Sequence, residues 1–285
     1  MANITAAEVN KLRKMTGAGM MDCKKALVES DGDIEKAIEI LRKKGQKVAA
    51  KRADKEATEG IVLAQINQDS TYGTVIVVNT ETDFVAKSDD FVNYVNAVSA
   101  KAIEAMPKTI DELKALDLNG RTVEENLTDL IGKIGEKMEL SSYEYIEAPL
   151  VANYNHQGNK LATLIGMSKK DIEGVDQAAH ELAMQVAAMS PIAVDRDDVD
   201  PSVVEKEIEI GKEQARQEGK PENILEKIAI GKLNKFFKES TLLNQDFVRD
   251  TKKSVKQYLG EYDKDLTVTD FKRLQIGRAS CRERV

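Results

Sequence analysis

The feature that most constrains this chain is a change of hydrophobic period near residue 56. Before it, apolar residues recur every three or four positions. Ile34, Ala37, Ile38 and Leu41 fall at i, i+3, i+4 and i+7, the mark of a helix with one buried face. After it, Gly60 to Asn67 and Tyr72 to Val78 are apolar and β-branched, as strands are. Gln68-Asp69-Ser70 separates them and predicts a hairpin. Helices first, then strands followed by a helix, exclude a simple bundle or sandwich. The fold class expected is α+β, with a helical block at 1–56 and a core from residue 57.

The helical block carries its own start and stop signals. Thr5 and Glu8 are spaced as a capping box that satisfies the first free amides. Thr16-Gly17-Ala18-Gly19 and Ser30-Asp31-Gly32-Asp33 interrupt the pattern, and Asp33 is a good N-cap. Three short helices joined by tight turns make a compact bundle with a small core, whose expected job is to dock on something. Met20 and Met21 are adjacent and cannot both point inward on one helix. An exposed Met is a soft, adaptable contact, and Arg13 adds a directional donor. Residues 46 to 57 read as a helical linker.

The core reads as two similar β-β-α units, at 57–140 and 141–274. In the first, the helix carries Phe91, Val95, Val98 and Ala102 on one face and ends near Pro107. In the second, strands from Tyr143 to Tyr154 and from Lys160 to Met167 flank His156-Gln157-Gly158-Asn159. A helix with Val175, Ala178, Ala179, Leu182 and Val186 on one face follows. The helix ends echo one another, Ala105-Met106-Pro107 and Ala188-Met189-Ser190-Pro191. From about 202 to 240 the chain is highly charged with a sparse apolar stripe broken at Gly219-Lys220-Pro221. Such a narrow stripe suits an antiparallel helical hairpin that protrudes as a coiled coil. A helix from Thr251 to Leu259 and a strand from Leu266 to Phe271 are expected last.

Composition removes several functions. The net charge of −7 argues against a general nucleic-acid binder, which needs a basic surface. No apolar run approaches the roughly 18 residues of a membrane span. The N-terminus has no signal-peptide pattern, so a cytoplasmic protein is expected. Two Cys and two His in 285 residues leave little for a zinc site or a disulfide scaffold. No phosphate-binding Gly-x-x-x-x-Gly-Lys motif or Gly-x-Ser-x-Gly elbow occurs. His156 reads as a surface contact, His180 as structural and Cys23 as a small core residue. No metal, no cofactor and no enzymatic centre are expected. Residues 275–285 resemble a translated sequencing adapter and are read as a non-native scar.

One stretch remains, Asn79-Thr80-Glu81-Thr82-Asp83-Phe84-Val85-Ala86-Lys87. It lies between a strand and the helix expected from Ser88 to Met106. Turns of this kind carry function more often than the elements they join. A Phe at a turn is commonly a cap on a core, but a core role does not require Asp83 beside it.

The chain resembles the bacterial elongation factor Ts family over residues 1 to about 274. The most specific signature runs from Leu12 to Leu27, Leu-Arg-Lys-Met-Thr-Gly-Ala-Gly-Met-Met-Asp-Cys-Lys-Lys-Ala-Leu, and the second is Thr82-Asp83-Phe84-Val85-Ala86. Ala183 to Ala188 and Leu242 to Val248 support them. The resemblance implies a module like a ubiquitin-associated domain, a core of two α/β halves with antiparallel sheets, and a projecting coiled coil. It implies a guanine-nucleotide exchange factor that binds elongation factor Tu, displaces Mg²⁺ and promotes GDP release in translation elongation. Arg13, Met20 and Met21 are then docking residues on the GTPase domain. Thr82, Asp83, Phe84 and Val85 enter near its Mg²⁺ site, and His156 faces another partner domain. The resemblance leaves open a homodimer of the complex. Some members continue past the last strand into a C-terminal helix, where this chain has the scar. The alternative from another class is a non-catalytic adaptor that binds through the helical module.

Overall fold

The computed structural model describes residues 4–277. In chain order the elements are helices α1 (Ala6–Thr16), α2 (Met20–Glu29) and α3 (Ile34–Arg52), strands β1 (Glu59–Ile66) and β2 (Tyr72–Thr80), and a single-turn helix α4 (Asp83–Ala86). Helices α5 (Asp89–Ala105), α6 (Ile110–Ala115) and α7 (Val123–Ile134) follow. Next come β3 (Met138–Glu147), β4 (Leu150–Asn155), β5 (Leu161–Met167) and α8 (Val175–Met189). The paired helices α9 (Pro201–Gln217) and α10 (Glu222–Ser240) precede β6 (Asp246–Phe247), β7 (Asp250–Ser254), α11 (Val255–Gly260) and β8 (Val268–Gln275). Helices and antiparallel strands in separate runs make this an α+β fold.

The chain forms two compact units. Of the described residues, the first holds 4–61 and 76–143, the second 62–75 and 144–277. In the first unit the N-terminal bundle closes over Val9, Leu12, Cys23, Ala26, Leu27 and Ala37. The Thr5–Glu8 capping box and the Asp33 N-cap both form. Gly17 ends α1 at φ 66°, a left-handed conformation that glycine adopts without a Cβ penalty. Residues 46–52 of the expected helical linker are helical and continue α3 without a break. That helix lies against α7, a pairing the sequence did not predict. Their crossing is glycine on glycine: a Cβ built on Gly132 would stand 2.7 Å from the Cα of Gly45.

Sheets follow the order β1-β2-β3 and β4-β5-β8, with β6-β7 as a separate pair. The expected long strand from Tyr143 to Tyr154 is therefore two strands in two sheets. Pro149 stands between them, and a proline has no N–H to continue a ladder. In the second unit β5 pairs antiparallel with β4, Leu150 opposite Met167. It also pairs antiparallel with β8, Leu161 opposite Gln275. Helix α8 covers that sheet and buries Val175, Ala178, Ala179, Leu182, Ala183 and Val186 with Leu242, Phe247 and Tyr258. The expected helical hairpin is present. Gly211 of α9 lets Ala229 of α10 approach to 3.1 Å of a built Cβ.

Two expectations near the C-terminus change. Residues Thr251–Ser254 are strand, because the Ser254–Gln257 capping box starts the helix only at Val255. The reading of 275–285 as outside every element fails for its first two residues. Gln275 closes β8, and the Ile276 N–H donates to the Lys160 carbonyl at 2.9 Å. Backbone groups add to a strand edge whatever side chains they carry. The rest of that stretch, from residue 278, lies outside the described residues.

Candidate functional site

The turn after β2 is built around one exposed ring. Thr82 caps α4, its hydroxyl accepting from the Val85 N–H at 3.4 Å. Helix α4 is one turn long, and Val85 and Ala86 are its buried pair. With 100° between successive residues, Asp83 and Phe84 must then face outward. Phe84 is 84% exposed, more than any other large hydrophobic side chain among the described residues. Asp83 pairs with Lys87 one turn on, Oδ2 to Nζ at 2.7 Å. That hydrogen bond holds the Lys87 ammonium above its ordinary pKa.

Two carboxylates brace the turn from beneath. Glu136 accepts from the Thr82 N–H at 3.2 Å, from the Thr82 hydroxyl at 2.9 Å and from the Thr80 hydroxyl at 3.4 Å. Glu81 accepts the Lys137 N–H at 2.6 Å and the Arg52 guanidinium at 3.2 Å. Lys137 donates its own Nζ to the Ala53 carbonyl at 2.8 Å. Consecutive residues 136 and 137 thus grip both sides of the turn, and the end of α3 is tied into it. Hydrogen bonds to ionised groups are the strong ones, so the backbone under Phe84 is fixed.

The expected site residues separate by role. Phe84 points outward and Asp83 lies beside it on the rim. Thr82 is half-buried and spends its hydroxyl on Glu136 and Val85, so it shapes the turn. Val85 is buried and anchors it. In the bundle, Met20 and Met21 are 52% and 63% exposed, and Met15 is 58% exposed. Arg13 is exposed at the last turn of α1. His156, in the second unit, sits on the β4–β5 turn with its Nδ1 2.9 Å from the Tyr154 hydroxyl. The exposed His180 places Nδ1 3.3 Å from the Asn153 carbonyl. Cys23 is fully buried and sits 3.6 Å from the Ala18 carbonyl.

Sequence reasoning missed Arg52, Glu81, Glu136 and Lys137. A Glu beside the Thr-Asp-Phe turn was visible, but its partners lie 29 and 56 positions away. A cleft of about 750 Å³ also opens in this unit, lined by α3, α5 and α7 residues among others. Its charged walls pair internally, Lys44 with Asp22 and Lys133 with Asp90. Among the described residues no cluster of three His, Cys, Asp or Glu is placed to hold a metal, and no helix is long and apolar enough to cross a membrane.

An apolar ring held out on a braced turn, in one unit with a bundle that exposes thioethers, belongs to a protein that works through its contact surface on another protein. A family model described as Elongation factor TS matches residues 81–278. Elongation factor Ts of Christiangramia forsetii is 52% identical over 277 residues, 97% of this chain and 100% of that protein. Elongation factor Ts of Cytophaga hutchinsonii is 53% identical over the same length and coverage. That of Porphyromonas gingivalis is 48% identical over 275 residues, 96% of this chain and 98% of that protein. The chain belongs to the elongation factor Ts family.

Proposed function

We propose that the chain is the guanine-nucleotide exchange factor of elongation factor Tu. It binds the GTPase, displaces Mg²⁺ and promotes GDP release so that GTP enters, in translation elongation in the cytoplasm. The observation that carries this reading is Phe84, an apolar ring in solvent on a turn that two carboxylates hold still. A ring so exposed gains little for the fold by burial and is free to enter a partner's site.

Exchange follows by linkage. GDP and Mg²⁺ favour the closed state of a GTPase, and a factor that favours the empty state must weaken nucleotide affinity by the same factor. Phe84 fills space that the closed site uses, and Asp83 bonds to groups released there. Arg13, Met20 and Met21 dock the 1–56 module, and His156 contacts a separate partner surface from the second half. Residues 57–140 and 141–274 are the exchange core. The factor makes and breaks no covalent bond and needs no cofactor, membrane or direct nucleic-acid contact.

The test is release of a fluorescent GDP from elongation factor Tu with and without this protein, at low and high Mg²⁺. Acceleration that excess Mg²⁺ opposes is the expected result. Binding without acceleration returns the protein to an adaptor role and defeats the proposal.

A further inference from the structure

We infer that Glu81, clamped by Arg52, is a positioning residue for exchange that ties the helix carrying the docking bundle to the turn carrying Phe84. This rests on the exchange reading above.

Helix α3 runs from the bundle to the turn. Near its start Ala37 is fully buried in the bundle core. At its middle Gly45 meets α7 at backbone contact. At its end Arg52 donates to Glu81 at 3.2 Å, and the Ala53 carbonyl accepts from Lys137. Nineteen helical residues span about 28 Å without a proline or a break. With no proline to kink it, and held at the bundle core, at α7 and at Glu81, the rod passes position from one end to the other.

Glu81 is where the rod meets the turn. Its side chain is 17% exposed, and its two oxygens serve two donors from different elements. It therefore does not present itself to a partner as Asp83 and Phe84 do. Through Lys137 the connection closes into a ring: α3 end to Glu81, Glu81 to the Lys137 N–H, Lys137 Nζ back to α3. The adjacent Glu136 holds Thr80 and Thr82 on the other side. With both carboxylates engaged, the direction of Phe84 is set relative to the bundle. Without Glu81 the Phe84 side chain is still present, but its aim is not fixed.

The experiment measures the maximum rate of GDP release and the factor concentration giving half that rate, in Glu81→Gln, Arg52→Ala, Arg52→Lys and Phe84→Ala. Glu81→Gln keeps the shape and removes the charge that holds two donors. The maximum rate is expected to fall about ten- to a hundredfold, the cost of a reacting geometry misplaced by about 1 Å. The half-saturating concentration stays within about twofold of wild type, because docking on the bundle is intact. Arg52→Ala shows the same split, and Arg52→Lys, which keeps a cationic donor, recovers part of the rate. Combining Glu81→Gln with Arg52→Ala adds little to Glu81→Gln alone, since the Arg52 link is already broken there.

A wild-type maximum rate in both Glu81→Gln and Arg52→Ala overturns the proposal. So does a raised half-saturation at an unchanged maximum, which makes Glu81 a partner contact. Arg52 is more exposed than Glu81, so its variants keep the test open if Glu81→Gln does not fold. Phe84→Ala separates the two failures. If it releases GDP normally, the wedge reading falls and this inference with it. If it is defective while Glu81→Gln and Arg52→Ala are normal, only the positioning role is lost.

Discussion

Replacing Phe84 with alanine distinguishes a wedge from a core residue, and the structure sets the size of both effects. Full burial of a large apolar side chain contributes about 1.5–3 kcal/mol. Phe84 leaves 84% of its surface in solvent, so truncation removes roughly 0.5 kcal/mol at most on that scale. For a chain of this size that is a melting shift of roughly 1–2 °C. Phe91, seven residues on and fully buried in α5, is the internal standard. Phe91→Ala empties a packed site and costs about 3–5 kcal/mol, a shift of roughly 6–20 °C. The assay pairs thermal melting by circular dichroism with stopped-flow release of fluorescent GDP from elongation factor Tu. Phe84→Ala should melt with wild type and release GDP far more slowly. Phe91→Ala should melt early, with near-normal release by the protein that remains folded at lower temperature. The reasoning fails if Phe84→Ala melts like Phe91→Ala and its folded fraction exchanges normally.

Three further outcomes are expected. Gly132→Ala forces a methyl to within 2.7 Å of the Gly45 Cα, so α3 must move off α7; a loss of about 1–3 kcal/mol should appear as a lower melting temperature, and wild-type melting would contradict the glycine crossing. Glu181 accepts from Gln177 and Tyr258 and pairs with Arg249; burial raises its pKa, but these partners outweigh it and hold the folded value below 4.5. The unfolded state therefore binds the proton more readily, and the stabilisation is present above about pH 4.5 and fades as acid reaches the folded pKa; the melting difference between wild type and Glu181→Gln should shrink below that pH, and a constant difference would refute it. Truncation after Leu274 removes the Gln275 pairing and the Ile276 hydrogen bond; a loss of about 0.5–1.5 kcal/mol for such a bond should lower the melting temperature slightly, whereas truncation after Gly277 tests the remaining tail alone.

The sequence by itself determined what is local. Capping at Thr5 and Asp33, the left-handed stop at Gly17, the β1–β2 pair and the hairpin of α9 and α10 depend on neighbours within a few residues, where spacing and propensity act directly. The same local reasoning placed at least one of Met20 and Met21 outside, since two adjacent helical positions cannot both turn inward; only the fold exposed both, Met20 included although its spacing sets it in one stripe with Cys23 and Leu27. The Thr82–Val85 stretch was legible as a turn, yet its four residues could not be told apart. Only folding divided them into an exposed ring, a rim acid, a cap and a buried anchor, since burial depends on what the rest of the chain places against each side. Pairings across long separations were invisible. Glycine 45 against glycine 132, Arg52 on Glu81 and Glu136 under Thr82 each join segments whose contact no local period encodes. A hydrogen bond between distant residues exists only once the backbone has brought them within about 3 Å, and that distance is a property of the tertiary structure.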